Sequence, residues 1–181
     1  HIETDEAYEG LGIGQASPGV REVVENGLKD LLIGQDPFDI EKLWNDMFWR
    51  VRGYGRKGLA FCALSAVDIG LWDLKAKALR LPLYKLLGAY TDSVPIYGSG
   101  GWTNFTTEEV VAEMVDYVDQ GIERVKMKVG KDFGRSERED LERVAAVREA
   151  VGDDMVLMLD PWGIYTLEES LYVGREIEKL D

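Results

Sequence analysis

The sequence predicts a chain of two classes, an α+β segment over residues 1–93 followed by a parallel α/β segment over residues 94–181. Three observations predict it. Residues 2–16 set a strand-like Ile2-Glu3-Thr4 against a glycine-rich stretch across an Asp5-Glu6 turn, and long amphipathic helices follow. Beyond the polar turn Thr91-Asp92-Ser93, short apolar runs alternate with helical patterns. In that second part the helix-start signals recur at one period: Thr106 with Glu109, Ser136 with Glu139 and Thr166 with Glu169 each place Glu three residues after a Ser or Thr. Strand-helix units repeating at a fixed period argue for parallel strands joined by right-handed crossovers.

Composition narrows the partners. A chain of 181 residues with 45% hydrophobic content can bury a core and should form one or two domains. A net charge of -13 argues against nucleic acid and anionic membrane surfaces, which need a basic face to displace counterions. No run approaches the ~18 apolar residues of a membrane span. Cys62 is the single cysteine, so no internal disulfide can form, and a reducing, cytoplasmic setting is expected. Its apolar helical surroundings read as those of a packed core thiol. His1 is the single histidine and stands at the terminus, so a Ser-His-Asp, Cys-His or histidine-rich metal site is not expected to be built from this chain alone. The chain opens on His1 directly in a strand-like stretch, and further sequence is expected to precede it.

The elements follow in order. Gly10-Leu11-Gly12-Ile13-Gly14 reads as the second strand of a small antiparallel sheet. A dinucleotide loop is the weaker reading there, because no third glycine follows and no strand-helix-strand unit surrounds it. Ser17-Pro18 starts an amphipathic helix carrying Val20, Val23, Val24, Leu28, Leu31 and Leu32 up to Gly34. Asp36-Pro37 starts another with Ile40, Leu43, Trp44, Met47 and Phe48 on one face. Leu59 to Leu79 is apolar over most of its circumference and must be covered on several sides. Within it Asp68 and Asp73 read as structural acids, and Asp73 stands four residues before Lys77 in the order favoured for a helical ion pair. A short helix from Pro82 closes at Gly88. In the second segment strands are expected at Pro95–Ser99, Arg124–Val129 and Met155–Asp160, each followed by a helix.

The strand Arg124-Val125-Lys126-Met127-Lys128-Val129 carries charge where a covered strand should have none. Side chains alternate faces in an extended chain, so Lys126 and Lys128 share one face and Val125, Met127 and Val129 the other. Two ammonium groups about 6–7 Å apart at ~3.3 Å rise per residue repel, which should lower the pKa of each and make a general base available. A wet edge strand guarded by lysines has the same spacing. Reactive groups of parallel α/β folds sit at the carboxyl ends of strands, which brings Lys128 and Asp160 together. Asp160 is placed to hold a hard cation such as Mg²⁺, or serves as a turn acid ahead of Pro161.

The segment Ser65-Ala66-Val67-Asp68-Ile69-Gly70-Leu71-Trp72-Asp73-Leu74-Lys75-Ala76-Lys77, the run Leu81-Pro82-Leu83-Tyr84-Lys85-Leu86-Leu87-Gly88, and Lys126-Met127-Lys128 with Asp160 together resemble the enolase superfamily, in its mandelate racemase and muconate lactonizing enzyme group. The resemblance runs over nearly the whole chain. It implies an α+β capping domain over residues 1–93 lacking its first strand, then over 94–181 the first three βα units of a (β/α) barrel. It also implies Lys128 as the proton-abstracting base, Lys126 as an electrostatic or carboxylate-binding partner, and Asp160 as the first of three acidic Mg²⁺ ligands. The implied reaction is Mg²⁺-dependent abstraction of the proton alpha to a substrate carboxylate, leading to racemisation, dehydration of an acid sugar or cycloisomerisation.

This sequence departs from the family pattern in three places. Pro161 and Trp162 follow Asp160, where a small residue and an asparagine are usual, and the indole stands to reshape or block the pocket. Gln15 takes the place of a glutamate in the glycine-rich strand. The remaining metal acids and the opposing base would lie on strands beyond Asp181. Three parallel strands cannot close a barrel of about 250 residues, and their free edges favour association, so a homo-oligomer or a longer enzyme is expected. The expected ligand is a small carboxylate. By itself the chain is expected to be inactive, and a non-catalytic fragment that keeps only the fold is the alternative reading.

Overall fold

The computed structural model describes residues 1–15 and 17–180. Ala16, at the end of the stretch read as a sheet remnant, and Asp181 lie outside the described residues. The chain divides into two units, His1–Asp92 and Ser93–Asp181.

In the first unit a two-stranded antiparallel pair, β1 (Ile2–Glu3) and β2 (Glu9–Gly10), lies on a helical layer. The strand expected to run through Gly14 stops at Gly10, because the chain beyond it meets a helix instead of a strand. A Cβ on Gly10 would fall 2.0 Å from the carbonyl oxygen of Gly70, and one on Gly12 would fall 1.7 Å from that of Ala66. These glycines therefore serve a close backbone approach. Leu11 N–H donates to Asp73 Oδ2 at 2.8 Å, and Lys77 Nζ lies 2.6 Å from the same oxygen. Asp73 is a structural acid, and both bonds hold its carboxyl below the usual range. Asp68 moves the other way, raised by burial and then by the charge of Glu41.

The helix at the centre of this unit is α3 (Leu59–Ala78), numbered after α1 (Pro18–Val23) and α2 (Ile40–Arg50). It buries Ala60, Ala63, Leu64, Val67, Leu71 and Leu74, and its covers are β2, α1 and α2. The helix expected to run to Gly34 changes pitch after α1, to a π turn over Val24–Leu28 and a 3₁₀ turn over Lys29–Leu31. Gly27 favours the change: it is a poor helix former, and Arg50 Nη1 donates to its carbonyl at 3.1 Å. Cys62 is half-buried beside the core as a free thiol. A short helix, α4 (Leu83–Leu86), completes the unit.

The second unit is a parallel three-stranded sheet with helices. Its elements run β3 (Gly98–Gly100), α5 (Thr107–Asp119), β4 (Arg124–Lys128), α6 (Lys131–Gly134), α7 (Glu137–Val151), β5 (Val156–Asp160) and α8 (Leu167–Ile177), and the strand order is β3-β4-β5. Val125, Met127 and Val129 face a core completed by Val110, Met114, Val144 and Val147. β3 begins at Gly98, later than expected, and Val94, Ile96 and Tyr97 before it are exposed. Only glycine fits under α5 here, since a Cβ on Gly98 would lie 2.3 Å from the Tyr117 ring and one on Gly100 would lie 2.3 Å from the Glu113 carboxylate.

Two of the three expected capping boxes form. Thr106 and Glu109 close the start of α5, and Thr166 and Glu169 that of α8. Ser136 makes no cap. Its hydroxyl donates to Asp132 Oδ2 at 2.6 Å, while Glu139 pairs with Lys131. The left-handed run through Gly130, Asp132, Phe133 and Gly134 turns the chain so that these nearby partners capture both side chains. Among the described residues no helix is long and apolar enough to cross a membrane.

Candidate active site

Alternation along β4 sets the site. With Val125 and Met127 fully buried on one face, Lys126 and Lys128 point to the other, each side chain 13% exposed. The register pairs Lys128 with Asp160 across β4 and β5. Lys128 Nζ donates to Asp160 Oδ2 at 2.6 Å and Lys126 Nζ to the same oxygen at 3.1 Å. The other oxygen, Oδ1, accepts the Trp162 backbone N–H at 2.9 Å. The Lys128 bond, the Trp162 amide and then the Lys126 bond hold the Asp160 carboxyl well below the usual carboxylate range. The two lysines share one face, as the alternation predicts, with Asp160 as their neighbour, and both amines converge on one carboxylate oxygen that attracts both.

Two indoles flank the same amine. Lys128 Nζ lies 5.7 Å from the Trp102 ring centroid and 5.0 Å from that of Trp162, within cation–π range. Trp162 is 73% exposed and sits at φ +51°, a left-handed conformation unusual for a bulky residue. The hydrogen bond to Asp160 holds that turn, so the indole borders Lys128.

Two functional candidates escaped the sequence reading. Asp140 and Arg143 on α7 are completely buried among apolar neighbours and bond to the loops at the strand ends. Their signal is present in the sequence: they share a face with Val144 and Val147, so a charged pair interrupts an apolar stripe.

Asp160 supplies the hard oxygen that Mg²⁺ prefers, yet it is one carboxylate already shared by two ammonium groups. Among the described residues no group of three or more His, Cys, Asp or Glu could hold a metal ion. The described residues therefore do not make a Mg²⁺ site by themselves.

The family model described as mandelate racemase/muconate lactonizing enzyme, N-terminal domain, matches residues 1–88. Residues 109–181, which include both lysines and Asp160, match the model described as enolase C-terminal domain-like. The chain belongs to the mandelate racemase/muconate lactonizing enzyme group of the enolase superfamily.

An arabinonate dehydratase of Saccharolobus solfataricus is 39% identical over 99% of this chain and 48% of its own length. A 3,6-anhydro-alpha-L-galactonate cycloisomerase of Streptomyces coelicolor is 35% identical over 99% of this chain and 50% of its own. An L-talarate dehydratase from Polaromonas sp. JS666, solved in complex with Mg and L-glucarate, superposes with a TM-score of 0.82 at 35% identity, covering 99% of this chain and 50% of that one. The chain thus spans about half the length of the curated superfamily members it matches.

Proposed function

We propose that the protein takes part in Mg²⁺-dependent abstraction of the proton alpha to the carboxylate of a small sugar acid, leading to dehydration, cycloisomerisation or racemisation. The observation that carries this reading is the convergence of Lys126, Lys128 and Asp160 at the carboxyl ends of adjacent parallel strands. Lys128 is the base. Its uncharged amine takes the α-proton, the C–H electron pair moves into an enediolate, and negative charge grows on the carboxylate oxygens of the substrate. The Lys126 ammonium lies on the same face and stabilises that charge. Lys128 can act only after the proton it shares with Asp160 has left, so Asp160 must give up this bond when the site is charged for reaction. Asp160 is the proposed Mg²⁺ ligand, and the cation would supply positive charge against the enediolate oxygens.

A second reading, a chain that keeps the fold without the chemistry, is favoured by one observation: both oxygens of Asp160 are engaged and no acidic cluster stands with it among the described residues. Proton exchange separates the two. The longest polypeptide that carries this chain is incubated in D₂O with Mg²⁺ and arabinonate, galactarate or L-talarate, and the α-proton signal is followed by NMR. Loss of that signal, slowed about 10²- to 10⁴-fold by Lys128→Ala, supports the enzyme. Unchanged exchange in the Lys128→Ala variant overturns Lys128 as the base, and no exchange with any acid sugar leaves the second reading.

A further inference from the structure

Behind the ends of the three strands, one buried ion pair gathers the polar atoms of every loop that borders Lys128. Arg143 and Asp140 are both 0% exposed and pair at 3.3 Å. Arg143 Nη1 donates to the Lys128 carbonyl at 3.3 Å, and Nη2 donates to the carbonyls of Gly101 at 3.2 Å and Trp102 at 2.9 Å. Asp140 Oδ2 accepts the N–H groups of Gly130 at 2.8 Å and Lys131 at 2.9 Å, and the Tyr165 hydroxyl at 2.8 Å. These partners come from the end of β4 and from the segments after β3, β4 and β5. Gly130 makes the convergence possible, since its φ of +93° points two successive amides at one oxygen.

We propose that Asp140 and Arg143 are positioning residues that hold Lys128 and the Trp102 indole in a fixed relation at the mouth of the sheet. The charge pairing by itself is a weak stabiliser, because well-packed apolar residues often replace a buried ion pair at little or no loss, so what marks these two residues is the set of loop atoms they bond. A charged fork and a carboxylate do what apolar packing cannot: each sets several backbone atoms at once, in direction as well as distance. The Lys128 amide donates to the Gly101 carbonyl at 3.2 Å, so Arg143 grips both partners of that bond. Geometry enforced this way matters at a proton-transferring amine, where a misplacement of about 1 Å costs on the order of 10²-fold in rate. The inference rests on Lys128 as the base, and the test keeps the two apart.

Two variants are compared with the native chain: Arg143→Lys, which keeps the charge but cannot fork, and the paired Asp140→Leu/Arg143→Met, which removes both charges together and so leaves none buried alone. In the 181-residue chain, the amide NMR signals of Lys128, Gly130, Lys131 and Trp102 should move in both variants. Hydrogen exchange at Gly130 and Lys131 should quicken at least tenfold in the paired variant, while signals of residues 59–78 stay in place. In the longest polypeptide carrying the chain, kcat for α-proton exchange should fall about 10- to 100-fold with KM changed less than about threefold, and Arg143→Lys should fall between the native and paired forms. Unmoved Lys128 and Trp102 signals in a folded paired variant would overturn the proposal, as would a kcat loss that merely follows the fraction unfolded. Should Lys128→Ala leave exchange intact, the proposed reaction fails, and the amide signals alone decide whether this pair places Lys128.

Discussion

Lys128 and Asp160 are register partners on adjacent parallel strands, and Lys128 Nζ donates to Asp160 Oδ2 at 2.6 Å. Lys126 reaches the same oxygen, so a carboxylate separates two like charges that the strand pleat points the same way. Replacing the acid leaves the ammonium groups to repel. Asp160→Asn should lower the urea midpoint of the second unit at neutral pH.

The pH dependence of that loss has a definite sign. The Asp160 carboxyl is held below its usual value in the folded chain, so at acid pH the unfolded chain binds more protons. Its contribution is present above the unfolded value of about 4 and is lost as pH falls through the lower folded value. The gap in midpoint between native and Asp160→Asn chains should therefore be largest at pH 5–7, an interval chosen to lie above about 4, and should narrow steadily in more acid buffers. A gap that fails to narrow as pH falls below about 4 would contradict the pairing.

Metal binding by the chain itself should be weak. With a single carboxylate facing two lysines, and no cluster of ligating side chains among the described residues, calorimetric titration of the 181-residue chain with Mg²⁺ should show no saturable heat up to about 1 mM. Saturable binding that Asp160→Asn removes would show that the site is complete as it stands.

Gly12→Ala tests the close approach in the first unit. The added methyl would lie 1.7 Å from the Ala66 carbonyl oxygen, contact with rigid helix backbone that cannot turn aside. The expected loss is about 1–3 kcal/mol or more by urea unfolding. Gly34→Ala, at φ +76° with open space around it, should lose only the ~1 kcal/mol of left-handed strain.

Tyr165 should titrate late. Burial, followed by its hydrogen bond to the Asp140 carboxylate, raises its phenol above the usual range. A raised value stabilises the fold fully below the unfolded value of about 10, and this contribution disappears as pH rises through the folded value. Absorbance at 295 nm should show one of the eight tyrosines ionising last, coincident with unfolding, and Tyr165→Phe should remove that step.

Much of the fold was legible because it rests on local rules. The change of grammar near Thr91, the apolar stripe of α5, the caps at Thr106 and Thr166, and the alternation that separates Lys126 and Lys128 from Val125 and Met127 each follow from periodicity within a few residues. Ser136 shows the limit of such rules. The same cap signal failed there because a left-handed turn brought Asp132 and Lys131 within reach, and no spacing encodes that turn.

The sequence by itself determined the family, the two classes of structure and the shared face of two lysines and an acid on neighbouring strands. Only the tertiary structure decided that one carboxylate oxygen takes both lysines, that Trp102 and Trp162 flank Lys128, and that Asp140 and Arg143 tie the surrounding loops together. The physical reason is range. Periodicity assigns a residue to a face, but which charges meet inside a fold depends on strand register and loop path, and these are fixed by contacts between residues far apart in the chain.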